Sequence, residues 1–209
     1  MLLTETTVDL LLGALKIWLY CEIYIHRNVS TGREEAIAKY GAKVNRIEGN
    51  YDDSVRIAAE VAEENSYYVV SDTSYEGYID IPKDVMQGYT VMVDETMKQM
   101  KETPTHVFLQ GGVGGFPAAT VSFLVESLDC PPIFVVVEPA NADCLFQSAV
   151  NGEPTVVHGD LDTVMAGLAC GEVSLLAWSI LESYVPHFMT IEDDSISKMM
   201  QLLANRERP

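Results

Sequence analysis

Residues 105–119 read THVFLQGGVGGFPAA, and the architecture turns on this stretch. Its first six residues favour a strand, and four of the next five are glycines: Gly111, Gly112, Gly114 and Gly115. Each glycine gives up side-chain packing and loses more backbone entropy on folding than any other residue. A run that dense calls for bare main chain. FPAATVSFLVESL (116–128) carries helical periodicity, so the glycines form a strand-to-helix turn. In such a turn, successive N–H groups and a helix start can converge on one anion. A P-loop would end in Gly-Lys-Ser/Thr, and Gly115 is followed by Phe116 and Pro117, which removes that reading. Gly112-Val113-Gly114 begins a dinucleotide fingerprint, with Glu138 where a ribose-binding acid falls, but the third glycine position is Pro117. Two readings remain beside that weak match. One is a cup for a single phosphate group; the other is a tight turn with no ligand.

Outward from the turn, strands and helices alternate. CEIYIH (21–26) predicts a strand, REEAIAKYGA (33–42) a helix closed by Gly41, and KVNRIE (43–48) a short strand. YDDSVRIAAEVAEEN (51–65) predicts an amphipathic helix, and SYYVVSD (66–72) a third strand ending on an acid. Pro82 suits the opening of a helix to about Met100, because the N–H that proline lacks is not needed in a first turn. Val85, Met86, Tyr89, Val93, Met97 and Met100 form its apolar stripe, with the methionines as core filler. PIFVVVEP (132–139) is a continuous apolar run, predicting a strand buried on both faces. ADCLFQSAV, the MAGLACG region and LLAWSILESYV predict helices, HFMTIED a last strand, and 194–205 a last helix. This alternation predicts an α/β fold, with parallel or mixed sheets flanked by helices. The loop from Thr73 to Ile81 is expected to divide a smaller lobe, 1–80, from a larger one, 81–209, holding the glycine loop.

With 209 residues, 48% of them hydrophobic, the chain can bury a substantial core. A net charge of −18 argues against nucleic acid and anionic membrane as partners, and is compatible with a site for a cationic small molecule. Cys21, Cys130, Cys144 and Cys170 show no CxxC spacing, so no metal site is expected, and they read as reduced cytoplasmic thiols. Cys144 and Cys170 remain a candidate redox pair. VDLLLGALKIWLYCEIYI (8–25) is apolar, but Asp9, Lys16 and Glu22 interrupt it short of the ~20 residues a bilayer needs. It predicts a buried helix running into a strand.

Five segments together resemble the diaminopropionate ammonia-lyases: YDDSVRIAAEVAEEN, VVSDTSYEGYIDIPKDVMQGYTVMVDE, PTHVFLQGGVGG, VVVEPANADCLFQSAVNG and TVMAGLACGE. That family belongs to the pyridoxal-phosphate enzymes with a tryptophan-synthase-β-like fold, and the resemblance covers roughly residues 21–205. It implies a smaller lobe plus an incomplete larger lobe of that fold. It also implies α,β-elimination of 2,3-diaminopropionate to pyruvate and ammonia with pyridoxal phosphate as cofactor. By the same resemblance, Gly111, Gly112, Val113, Gly114 and Gly115 hold the cofactor phosphate through main-chain N–H groups. Asp72 matches an active-site aspartate close to the substrate; spacing alone would make it a strand-end aspartate. Glu138 is implied to lie on the strand edge facing the cofactor.

The chain departs from the pattern at its start. The family anchors its cofactor on a lysine well before the glycine loop and uses an asparagine-containing loop ahead of the first strand. That place holds LTETTVDLLLGALKIWLY (3–20), which does not match. None of the seven lysines, Lys16, Lys39, Lys43, Lys83, Lys98, Lys101 and Lys198, sits in a matching motif. The group that relatives offer to the pyridine nitrogen is also not found. The expectation is therefore the middle of such an enzyme, without turnover by itself. The alternative is a non-catalytic protein on the same scaffold, binding a phosphorylated metabolite or a partner subunit. Open strand edges predict a homodimer or larger species.

Overall fold

A computed structural model describes residues 20–205, and its ladders form two parallel sheets. In the first, β1 (Glu22–His26) pairs with β2 (Lys43–Ile47), Ile23 opposite Val44, across the helix α1 (Thr31–Ala38). The period of two along β1 sends Ile23 and Ile25 into a small core with Cys21 and Ala42. Glu22, on the opposite face, is buried yet accepts hydrogen bonds from Tyr20, Tyr24, Lys43 and Asn45. Burial alone would raise its carboxyl; those donors instead hold it at about 2. Helix α2 (Tyr51–Asn65) packs on β1 and buries Ala58 and Ala62. It starts at a capping box in which Asn50 and Asp53 satisfy each other's amides, and it stops at Ser66 with a left-handed φ of 56°.

The second sheet has the order β3 (His106–Gln110), β4 (Ile133–Pro139), β5 (His187–Ile191). Central β4 buries Phe134, Val135 and Val136, as its unbroken apolar run predicts. Helices α3 (Asp80–Gln99), α4 (Gly115–Ser127), α5 (Cys144–Asn151), α6 (Leu175–Tyr184) and α7 (Asp194–Ala204) surround it. Ala118, Ala119 and Val121 on α4 are almost fully buried, and these small residues let α3 and α6 approach from either side.

The expected elements hold with four changes, one being that α3 begins at Asp80, two residues before Pro82. α1 begins two residues early, at a cap where the Ser30 hydroxyl accepts from the Arg33 amide, and Gly41 lies beyond its end with φ 86°. Residues 66–72 are not a strand. Their main chain is held by a side chain instead: the Tyr78 hydroxyl accepts from Ser71 N at 2.9 Å and donates to Val69 O at 3.2 Å. The MAGLACG region forms only a single 3₁₀ turn, Ala166–Leu168. The predicted N-terminal helix and Lys16 lie outside the described residues. No helix among those described is long and apolar enough to cross a membrane.

Candidate active site

The glycines answer to different demands. Gly111 N donates to Val137 O, extending the ladder, and a Cβ there would stand 2.7 Å from Leu145 Cδ1 and 2.9 Å from Val136 Cγ1. Gly114 has φ +100°, a conformation side-chain-bearing residues resist, and Leu145, Leu181 and Ala177 crowd it. At Gly112 the carbonyl accepts from the Cys144 thiol at 3.4 Å, while Cys170 Sγ stands 3.3 Å from a Cβ position. Gly115 has room: the nearest atoms to its missing Cβ are Asp72 O at 3.7 Å and Met86 Cγ at 3.8 Å. Packing does not explain the glycine at 115.

Helix α4 starts from this turn with no side-chain cap. Among the described residues, the amides of Gly112, Gly114, Gly115 and Phe116 take no hydrogen-bond acceptor. The Val113 N–H turns to the Cys170 sulfur. First-turn amides are orphaned by helix geometry and carry the positive end of the helix dipole. Here they open on a cavity of about 500 Å³ between the two sheets. Asp72 and Tyr51 form one wall, Ala166–Leu168 and Cys170 another, and His26 and Arg33 stand on the side of the small sheet. Among the described residues no lysine lines it.

Asp72 is tied to a hydroxyl relay. Tyr51 Oη donates to Asp72 Oδ1 at 3.3 Å and lies 3.2 Å from Thr73 Oγ1. Burial, then the charge of Asp72, push the Tyr51 phenol well above its ordinary value, so it stays protonated and able to donate. Two residues on, Ser74 anchors the segment. Its amide donates to Ser174 Oγ at 3.0 Å, the two hydroxyls are 2.8 Å apart, and Ser74 Oγ accepts from Leu176 N at 2.7 Å. Ser174 N donates in turn to Val113 O at 2.8 Å. One buried serine pair thus fixes the Asp72 segment, the start of α6 and the glycine turn together. Sequence reading missed both serines; the only signal was a serine before each of two structured segments.

Asp52 pins the loop that covers the cavity. Its Oδ2 accepts from Gly171 N at 3.0 Å, and a Cβ on Gly171 would stand 2.4 Å from Val157 O. Burial, with Glu172 nearby, pushes the Asp52 carboxyl up to about 6. Of the residues singled out from the sequence, Asp72, Gly112, Val113, Gly114 and Gly115 line one cavity, and Gly111 and Glu138 do not. Glu138 is turned away from it, because the start of α5 lies behind the strand end: its carboxylate accepts from Leu145 N at 3.0 Å and Phe146 N at 2.6 Å. Burial pushes it up to about 8 despite those two donors. Cys144 and Cys170 are free thiols on either side of Gly112, not a disulfide. No group of three metal-ligating side chains occurs among the described residues.

Parallel sheets flanked by helices, with a glycine turn feeding a helix at an inter-sheet cavity, place the chain in the α/β class. The chain belongs to the pyridoxal-phosphate dependent enzyme family, whose model matches residues 8–209. It is 40% identical to the diaminopropionate ammonia-lyase of Escherichia coli K12 over 187 residues, 88% of this chain and 47% of that protein. To the Salmonella typhimurium enzyme of the same name it is 38% identical over 199 residues, 92% of this chain and 49% of that one. The chain spans about half the length of the curated relatives it matches. The crystal structure of the E. coli lyase in complex with D-serine superposes with a TM-score of 0.90 at 34% identity, over 98% of this chain and 52% of that chain. The apo form gives a TM-score of 0.77 at 28% identity, over 98% of this chain and 49% of that chain.

Proposed function

We propose that this chain supplies the phosphate cup and one substrate wall of a pyridoxal-phosphate-dependent diaminopropionate ammonia-lyase. The observation that carries this reading is the set of acceptor-free amides from Gly112 to Phe116 facing a cavity walled by Asp72. The donors fit a phosphate: main-chain N–H groups and a helix start need no cation to hold a dianion. The open space at Gly115 fits its close approach. Similarity to the two lyases supports the substrate class. In this reading residues 1–80 form the smaller lobe and 81–209 part of the larger one. We further propose a cytoplasmic setting and self-association.

The chain's own groups divide the work. The amides of Gly112, Gly114, Gly115 and Phe116 hold the phosphate, and the α4 dipole adds to the attraction. Asp72 draws in the cationic diamino acid and takes a proton from it, while Tyr51 keeps the Oδ1 edge of the carboxylate oriented. The Ala166–Leu168 turn, pinned through Gly171 to Asp52, limits water. When bound, pyridoxal phosphate supplies an electron sink for charge developing at the substrate α-carbon. With no lysine among the described lining residues, we assign this chain binding without turnover by itself. The same feature favours a second reading, a phosphometabolite-binding protein on this scaffold.

A titration with pyridoxal phosphate, followed by absorbance and then borohydride reduction, tests the assignment. The expected result is saturable binding, competed by sulfate and lost in Gly115→Asp, with no lysine adduct. A reduced adduct on one specific lysine would overturn the binding-only assignment, and binding untouched by sulfate and by Gly115→Asp would overturn the cup. Binding of phosphorylated sugars as tight as that of pyridoxal phosphate would favour the second reading.

A further inference from the structure

Glu138 is the most buried carboxylate among the described residues, at 1% exposure, and it forms no ion pair among them. It stands directly behind the amide cup. Its Cγ lies 3.2 Å from the position a Cβ would take on Gly111, the first residue of the turn. The Cys144 thiol bridges the remaining gap, 3.9 Å from Glu138 Oε1 and 3.4 Å from Gly112 O. Leu145, whose amide donates to Glu138, puts its side chain against both Gly111 and Gly114. An anion in the cup and a carboxylate behind it would face each other across one dry layer of protein. Like charges so placed are weakly screened and repel.

We propose that Glu138 is a proton-coupled positioning residue of the cup: an anion entering the cup is accompanied by uptake of one proton at the Glu138 carboxylate. The inference rests on the cup reading above. A proton from the buffer adds to a carboxylate oxygen, and no bond is broken. Neutralising the inner charge relieves the repulsion while the two α5 amides stay bonded. Gly111 then has a second reason to lack a side chain, since the carboxylate arm packs against it.

Asp72 faces the cup from the cavity side, so the Glu138→Gln control separates its response from that of Glu138. Asp143 at the start of α5 adds negative charge of the same sign. Cys144 on α5 and Cys170 on the covering loop are pushed well above their ordinary range by burial, as is Tyr51 on α2. Asp52 on α2, at about 6, and His26 on β1, lowered by burial and then by Arg46, titrate below the window of interest. Glu138, at about 8, titrates within it.

Sulfate is the probe, because it is a dianion across the whole range and brings no titration of its own. Calorimetry of sulfate binding to the full chain in two buffers of different ionisation enthalpy reads the proton count. A coupling on the order of tenfold, one unit of pKa, predicts uptake of about half a proton near pH 8.5. Affinity should fall roughly five- to tenfold from about pH 7 to about pH 9.5. Glu138→Gln should bind sulfate with no uptake and a flat profile. Should that variant fold poorly, the infrared difference spectrum of the unmodified chain gives an independent readout: a protonated-carboxyl band must grow when sulfate is added. Sulfate binding with no uptake and no such band overturns the inference alone. Uptake that survives in a folded Glu138→Gln chain overturns Glu138 as the seat. Failure to bind sulfate at any pH overturns the cup reading and this inference with it.

Discussion

Two alanine substitutions, Gly115→Ala and Gly111→Ala, separate the structural from the ligand-binding reasons for the glycine run. At Gly115 the φ is not left-handed, and a new Cβ meets Asp72 O at 3.7 Å and Met86 Cγ at 3.8 Å, both ordinary contacts. Alanine in a helix is favoured over glycine by roughly 0.5–1 kcal/mol in the interior and by less at the first position. Gly115→Ala should therefore leave stability unchanged or raise it by a few tenths of a kcal/mol. At Gly111 the Cβ would stand 2.7 Å from Leu145 Cδ1 and 2.9 Å from Val136 Cγ1, side chains of residues with 0% exposure that have nowhere to retreat. Forced overpacking of that kind costs about 1–3 kcal/mol. Urea unfolding of the two variants and the parent measures the difference, and sulfate titration measures the cup. Gly115→Ala should keep its unfolding midpoint while binding sulfate more weakly. Gly111→Ala should lose midpoint. A Gly115→Ala chain destabilised by more than ~1 kcal/mol would show that packing also excludes a side chain there, and would refute the reasoning.

Stability should also fall as pH rises. Glu138, from 4.5 to about 8, and Asp52, from 3.8 to about 6, are both raised in the folded chain, so the folded state binds more protons. Their contribution is complete below about pH 4 and is lost through 6 and then 8, with an upper bound of roughly 8 kcal/mol in total. Glu22, lowered from 4.5 to about 2, acts in the opposite sense: its contribution is present above about pH 4.5 and is lost as pH falls towards 2. Urea midpoints should peak near pH 4–5, and Glu138→Gln should flatten the upper limb; a midpoint that climbs from pH 5 to 8.5 would contradict the burial argument. Ser74→Ala removes the acceptor of Leu176 N and the partner of Ser174, and should cost about 1–3 kcal/mol in the same assay. No loss would mean the serine pair holds nothing.

The sequence made the strand-turn-helix legible because its signals are local: strand formers, bare main chain, then a period of 3.6 from Phe116 onward. The same logic located the strands of the sheets and the glycine turn, whereas Asp72 was singled out only through the family resemblance. It misread 66–72 because Tyr67, Tyr68, Val69 and Val70 are strand formers, while what satisfies that main chain is the Tyr78 hydroxyl, a contact made by a fold-back that composition does not encode. It put Glu138 at the right strand end but on the wrong side, since facing the cavity or facing away depends on where the first amides of α5 come to rest. The serine pair spans 100 residues and the Asp52–Gly171 bond 119, separations at which no periodicity survives. These long-range ties converge on the one turn that was readable locally. Val113 is held from α6 through Ser174, Gly111 is pressed by Leu145 and Val136, and the covering loop is pinned from α2. A loop of four glycines would by itself be the softest part of the chain. Held at so many points, its spare amides keep one direction, and under the proposed reading that rigidity would let bare backbone act as a binding group.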